Sequence, residues 1–494
     1  MQSTNPRKRR SQPVLAPEPG AEPLTLPIEQ SADPTQISPR YQPKTPAFRR
    51  YVSTYALASL AISLMIGALA TVLLPLHVQS LEFARIFGAD SGVDLTALNN
   101  LSNEVAAGAV APTAEQQHQL GLLAQFNASR ASSLSLVNSA GVVLVMILQP
   151  IIGTLSDRTR SRWGRRAPYV AGGAVAGAAL ITLMPVVPSI AVLVIVWSLI
   201  QVAANLSGGP LSATVADRVP EERLGTVSAV AGLATYAAAI IGAYIAGNLF
   251  GAIGLASYYP FAIALALLTI PFLLIARDRS SRTMAREPIR FSTIFASFVV
   301  ALRDRDYRLA WISKVLFWFG VGISSTYGIY MLQSYISPAL SAAEAAQTTP
   351  LMMVAALPAT LLAMAAAGRL SDRFQRRKPF VVAAALILAV SSLVPWVWPT
   401  LPAMFIQAVL GGLGLGAFLV VDQAFFIDLL PDQNSAARDL GMSAMAQSIG
   451  QALAPIIAGV VVTLAAGAYG PVWPVGAVLV AFSALAILPI RRAR

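Results

Sequence analysis

Cysteine is absent from this 494-residue chain, charge is scarce, and histidine is nearly missing. Without a thiol there is no disulfide and no thiolate metal site, and nothing follows about compartment. The two histidines, His77 and His118, form no ligand cluster. An integral-membrane enzyme, such as an acyl or glycosyl transferase, needs paired acid–base groups or a metal near an interface. We therefore expect no enzyme, no metal and no cofactor. Charged residues are 12% of the chain, against roughly 25% in soluble domains. Apolar residues fill the space, at 56%, more than a soluble core of this length needs. The net charge of +12 does not indicate a nucleic-acid partner, because the arginines lie in short segments between apolar runs. That placement reports orientation in a bilayer and contact with anionic lipid.

Residues 1–48 are rich in Pro, Ser, Gln and Arg without apolar periodicity, which predicts a disordered cytoplasmic tail. Its cluster Arg7-Lys8-Arg9-Arg10 lies too far from any apolar segment for a secretory signal. Twelve apolar spans then follow, near 50–76, 131–154, 168–188, 190–215, 224–249, 256–276, 309–334, 348–369, 378–397, 402–427, 440–466 and 471–490. Residues 277–308 carry eight arginines and divide an N-terminal bundle, 49–276, from a C-terminal bundle, 309–494. Of 35 Lys and Arg, 32 fall in the tail, the C-terminus or the loops this arrangement puts inside. Both termini are thus expected in the cytoplasm, with the chain in the plasma membrane. The external segment 79–129 is far longer than the other outer turns, and Thr113 to Gln116 resembles a helix-capping box. It reads as an insertion without a direct substrate role, the other reading being a small cap over the pore mouth.

The loop QPIIGTLSDRTRSRWGRRAPY, Gln149 to Tyr169, organises the first half. Its five arginines cannot lie in hydrocarbon, where each costs about 2.5 to 3.5 kcal/mol. A shorter version recurs as GRLSDR, Gly368 to Arg373, followed by QRRKPF. Span four ends in Ala216-Asp217-Arg218-Val219-Pro220 and span ten in Ile427-Asp428-Leu429-Leu430-Pro431, with Leu224-Gly225 and Leu440-Gly441 opening the next spans. One half repeats the other, and two parallel six-helix repeats enclose a cavity at the bilayer midplane. Gly153 is expected to let two helices approach closely. Asp157, Arg158, Gly164, Arg165 and Arg166, with Gly368, Asp372 and Arg373, form an expected cytoplasmic gate. Its charges would pair across the seam in one state and part in the other; the competing reading is that they hold orientation only.

These residues resemble the major facilitator superfamily. The string G-x-x-S-D-R-x-x-S-R-x-G-R-R-x-P, the G-P-x-x-A run at Gly209 to Ala213 and VDQAFFIDLLP from Val421 to Pro431 are more particular. They resemble the glycoside-pentoside-hexuronide cation symporters and the related sucrose-transporter group. The resemblance implies an all-α polytopic fold of twelve helices in two pseudo-symmetric bundles, alternating access, and a sugar or glycoside as small-molecule substrate, with the chain acting as a monomer. Sodium-coupled members of that family carry acids on span two, where this chain has Asn138, Ser139 and Gln149. A proton gradient is therefore expected in preference to sodium.

Polar residues at mid-depth face the interior, since lipid does not solvate them. Gln201 and Asn205 lie one turn apart on span four, and Gln447 and Gln451 likewise on span eleven. Trp318, Tyr327 and Tyr330 lie on span seven, with Ser324 beside them, and spans one and five add Ser59, Ser63 and Tyr236. Amides, hydroxyls and aromatic faces suit a neutral polyhydroxylated ligand, although each taken singly serves a helix–helix hydrogen bond equally well. Asp422 is the one carboxylate well inside a span and is the candidate for proton coupling; the alternative is a static pair with Lys314 or with the amides of span eleven. The run Gly411-Gly412-Leu413-Gly414-Leu415-Gly416 sits in an apolar span with no preceding strand, so it reads as helix packing or a gating segment and not a nucleotide site. An exporter of drugs or metabolites on the same fold, by proton antiport, is the other functional class.

Overall fold

A computed structural model describes residues 41–42, 45–276, 280–282, 302–374, 376–429 and 436–491, with the side chains of 436–440 and a few in 221–233 excepted. Most of the tail, most of the central segment 277–308 and residues 430–435 lie outside the described residues, as does the side chain of Leu440 in the second repeat.

Every described element is helical. The first span is α1, Pro46–Ile86, which widens into a π turn at Leu69–Leu73. A short helix α2, Leu95–Ala106, follows, with Asp94 accepting from the backbone N–H groups of Thr96 and Ala97. Spans two to six are α3 (Ala114–Arg158), α4 (Ala167–Leu183), α5 (Ile190–Arg218), α6 (Glu221–Ile253) and α7 (Tyr258–Ile275). Span seven is α8, Arg305–Thr326, which breaks at Tyr327 and resumes as α9, Gly328–Ser334. Spans eight to twelve are α10 (Ala342–Phe374), α11 (Lys378–Val397), α12 (Leu401–Asp428), α13 (Ala436–Leu464) and α14 (Val472–Ile487).

Among the described residues, ten helical segments are by length and composition long and apolar enough to cross a membrane. Two facts reconcile that number with twelve spans. The segment Ala234–Ile275 is α6 and α7 joined through a tight 3-10 turn, and α14 has 16 residues. Large apolar side chains such as Val175, Val397 and Leu464 stand exposed around the bundle, the surface a lipid-facing helix presents.

The duplication is visible in which helices touch. In the first half α1 packs on α6 and α7, α5 on α3 and α4, and α4 on α7. In the second half α8 packs on α13 and α14, α12 on α10 and α11, and α11 on α14. Those are the same five pairings, span for span. The halves meet through α3 with α13 and α6 with α10, two contacts that the pseudo-two-fold interchanges. Local signals repeat too, with Pro168 and Pro379 both in the first turn of their helices, where a missing N–H costs nothing.

The external segment is mostly helix, not loop. α1 continues to Ile86, and α3 starts at Ala114 under the capping box of Thr113 and Gln116, with both reciprocal hydrogen bonds made. Below, the end of the molecule that carries α2 is called the α2 end, and the other the arginine end.

Candidate functional site

A cavity of about 500 Å³ lies between the halves. From the first half it takes Thr71 on the π turn of α1, Asn138 on α3 and Tyr236 on α6. The second half gives Ser325 and Thr326 on α8, Thr349 and Thr360 on α10 and Gln407 on α12, with Met352, Met353 and Met404 as an apolar wall. No lining residue carries a formal charge. The glycine run of α12 shapes one side. A methyl group on Gly416 would sit 2.3 Å from the Thr360 carbonyl oxygen, and one on Gly414 2.9 Å from that of Ala384. The run is thus a close-packing face that draws α12 between α10 and α11.

At the α2 end the seam is closed by hydrogen bonds between halves. Arg130 is fully buried; its Nε donates to the Tyr469 hydroxyl at 3.0 Å, Nη1 to Gln79 Oε1 at 3.1 Å and Nη2 to Ser334 Oγ at 2.5 Å. Its guanidinium also lies 4.4 Å from the Tyr330 ring centroid, a cation–π contact in a desolvated setting. Gln79 donates to Gln333 at 2.8 Å. Tyr330 donates its hydroxyl proton to the Pro75 carbonyl at 2.7 Å, and Tyr327 donates to that of Ala131 at 3.0 Å while meeting Ser135 at 2.5 Å. Glycines let the backbones approach, since a methyl group on Gly247 would lie 2.2 Å from the Ala346 carbonyl oxygen.

A second, smaller cavity of about 270 Å³ lies among α8, α12 and α13. There Lys314 Nζ stands 2.7 Å from Asp422 and donates to Ser443 Oγ at 3.0 Å, with the Phe426 ring centroid 4.9 Å away. Trp318, Gln423 and Gln447 complete the wall. Asp422 therefore points inward, at 5% exposure, and is paired.

The structure distributes the expected substrate residues differently from the sequence reading. Trp318 and Gln447 come together beside Asp422. Tyr327 and Tyr330 close the cavity in this conformation, because their hydroxyls are committed across the seam. Gln201 lies against Gly141 of α3, and Asn205 donates to the Gln201 carbonyl of its own helix; neither lines either cavity. Gln451 is exposed and lines neither cavity. Asn138, noted from the sequence only as a neutral residue on span two, lines the cavity, and Thr360 and Gln407 were missed; the signal of those two is a lone polar residue in an apolar run, and only rotation about the helix axis distinguishes such a residue from Asn205.

At the arginine end, Asp157 pairs with Arg166 at 2.6 Å, within its own half and not across the seam. Arg166 also reaches Asp217 at 3.2 Å and Ser156 Oγ at 3.0 Å, while Arg165 reaches Asp217 at 2.7 Å. The second half repeats this as Arg377 with Asp428 at 3.0 Å. Gly164 adopts φ +86°, which the turn before α4 requires. Gly153 does not mediate close packing here, since a methyl group on it meets nothing within 4 Å, whereas one on Gly368 would meet Val420 at 3.2 Å. Arg158 ends α3, and Asp372 and Arg373 occupy the last turn of α10; Arg158 and Asp372 both have interaction partners.

Among the described residues no three His, Asp or Glu side chains come together as a metal site. A family model described as Major Facilitator Superfamily matches residues 95–357 and, overlapping, 323–494. A stretch of 48 residues is 50% identical to an uncharacterized symporter of Synechocystis sp.; the match covers 10% of this chain and 9% of that relative's length. The fold is similar to the nucleoside transporter NupG, with a TM-score of 0.64 at 14% identity over 89% of this chain and 100% of that one. It is similar as well to a bacterial homolog of the human lysosomal transporter Spinster, in an inward-facing and unoccupied conformation, at 0.61 and 13% identity over 90% and 99%.

Proposed function

The chain belongs to the Major Facilitator Superfamily and is a membrane transporter, and from that footing we propose that it imports a sugar or glycoside together with a proton by alternating access. The loop string from Gly153 to Pro168 places it, in this reading, with the glycoside-pentoside-hexuronide and sucrose-transporter branch. The observation that carries the proposal is the cavity between the halves, whose polar lining is made of hydroxyls and amides without a charge. Such a lining solvates hydroxyl groups and leaves a charged ligand uncompensated. Its volume of about 500 Å³ falls in the range for small-molecule sites. The α2 end then faces outward and the arginine end inward, as the arginine distribution requires.

In this scheme Asp422 carries the proton. It sits apart from the neutral cavity, on the same helix α12 that contributes Gln407 to it, and Lys314 sits on the same helix α8 that contributes Ser325. Protonating Asp422 removes half of a buried ion pair, which biases how α8 and α12 pack. At the arginine end, Asp157 and Asp372 head the gate, and their loops exchange partners as the halves rock. Proton, not sodium, fits α3, whose mid-depth groups are neutral.

A second reading is supported by Met352, Met353 and Met404 on the cavity wall. Methionines repack around varied apolar ligands, as an exporter of drugs or metabolites working by proton antiport would need. Counterflow in proteoliposomes separates the two. We expect exchange of a labelled mono- or disaccharide, with accumulation only when an inward proton gradient is imposed. Nucleosides belong in the same panel as neutral hydroxylated rings. No exchange with any of these, together with proton-driven extrusion of an apolar cation, would replace import by export.

A further inference from the structure

The segment between α1 and α3 has no counterpart in the second half, where a short turn joins α9 to α10. Its helix α2 is anchored in the first half. Leu98 packs with Leu123 and Phe126, and Phe126 meets Phe83 and Phe87 edge-on. The opposite side of α2 reaches the other half through two asparagines three positions apart, hence on one helix face. Asn103 Nδ2 donates to the Ile336 carbonyl at 3.0 Å, and Asn100 Oδ1 accepts from the Ala339 N–H at 2.8 Å. The turn they hold is itself tied to the second half. Ser337 N–H donates to the Pro399 carbonyl at 2.9 Å, the Tyr335 hydroxyl to that of Pro395 at 2.9 Å, and Leu340 N–H to that of Leu332 at 3.0 Å.

We infer that α2 is a strap: a clasp built on the first half that grips the second and stabilises the conformation closed at the α2 end. Both handles are stiff, so rocking the halves apart at this end must break the two asparagine bonds. It must also break the Arg130 cluster, which lies deeper in the same seam. The strap thereby sets how often the cavity opens to the side α2 faces. Two net hydrogen bonds correspond to roughly a 5- to 150-fold change in the closed-to-open ratio. This inference rests on the alternating-access reading, and its test separates the two.

The chain has no cysteine, so spin labels at Gln117→Cys on α3 and Ala468→Cys in the turn before α14, both exposed, report opening directly. Distances are measured by pulsed electron resonance in proteoliposomes for three proteins: the otherwise unchanged chain, N100A/N103A, and R130A. Neither asparagine substitution touches the Leu98 packing, and recovery as a monodisperse protein is checked first. We expect a longer-distance population to grow in N100A/N103A by the factor given above, and in R130A as well. Opening in R130A with an unchanged distribution in N100A/N103A overturns the strap and leaves alternating access standing. A single short distance in all three proteins contradicts opening at this end, and the strap with it.

Discussion

Lys314 and Asp422 form an ion pair whose side chains are 11% and 8% exposed. Removing one partner of such a pair strands the other and costs about 3–5 kcal/mol, while replacing both with apolar groups is often neutral or better. Lys314→Met alone should therefore lower the unfolding temperature, and Lys314→Met with Asp422→Leu should recover most of the loss, as read by thermal unfolding in detergent. If Asp422 carries the coupling proton, Asp422→Asn keeps counterflow and loses accumulation against a gradient; a variant that still concentrates substrate would assign the pair a static role. That Asp422 faces inward was legible because a lone carboxylate in an apolar run is not solvated by lipid. The direction of a hydroxyl was not. Ser325 and Tyr327 are two positions apart, about 200° of rotation on a helix, and one lines the cavity while the other seals it.

The helices themselves were legible from apolar runs, and α11 coincides with its expected span, Lys378–Val397. The misjudged stretches lie at the α2 end, where α1 continues through Gln79 and Glu82 to Ile86 and α3 begins at Ala114. Hydropathy reports where hydrocarbon ends, not where backbone hydrogen bonding ends, so polar turns beyond the bilayer carry no signal except their caps, such as Thr113. The break at Tyr327 has no proline to announce it. Glycines show how these helices are used. Gly416 and Gly247 both pack so tightly that a methyl group would lie within 2.3 Å of a facing carbonyl oxygen. The first contact is inside one half and the second crosses the seam. Gly416→Val should reduce folded yield, whereas Gly247→Leu should leave folding intact and part the α2 end. The check is thermal stability alongside the label distances described above. Equal loss of stability in both would argue against a separable seam.

At the scale of the molecule the duplication was legible in the paired loops, and the structure carries it to matching helix contacts and matching charge pairs. Arg166 with Asp217 and Arg377 with Asp428 have the same separation, 51 residues, and each ties the turn between two helices to the end of the next one. If the halves work as equivalent rocking bodies, Asp217→Asn and Asp428→Asn should each impair transport to a similar degree without lowering the amount of inserted protein, measured as uptake per transporter. Asp157→Asn should behave likewise, and normal uptake would reduce that carboxylate to an orientation signal. What the sequence could not show is which of its seams is shut, because that depends on distances between halves and not on the order of residues. Ser325 lines the cavity and is exposed to it. With Ser325→Cys as the only thiol in the protein, labelling by a membrane-impermeant reagent added to one face at a time asks whether the cavity opens alternately. The account predicts labelling from both faces, with the rate from the α2 side raised by Gly247→Leu and the rate from the arginine side lowered. Labelling confined to one face, and indifferent to Gly247→Leu, would contradict it.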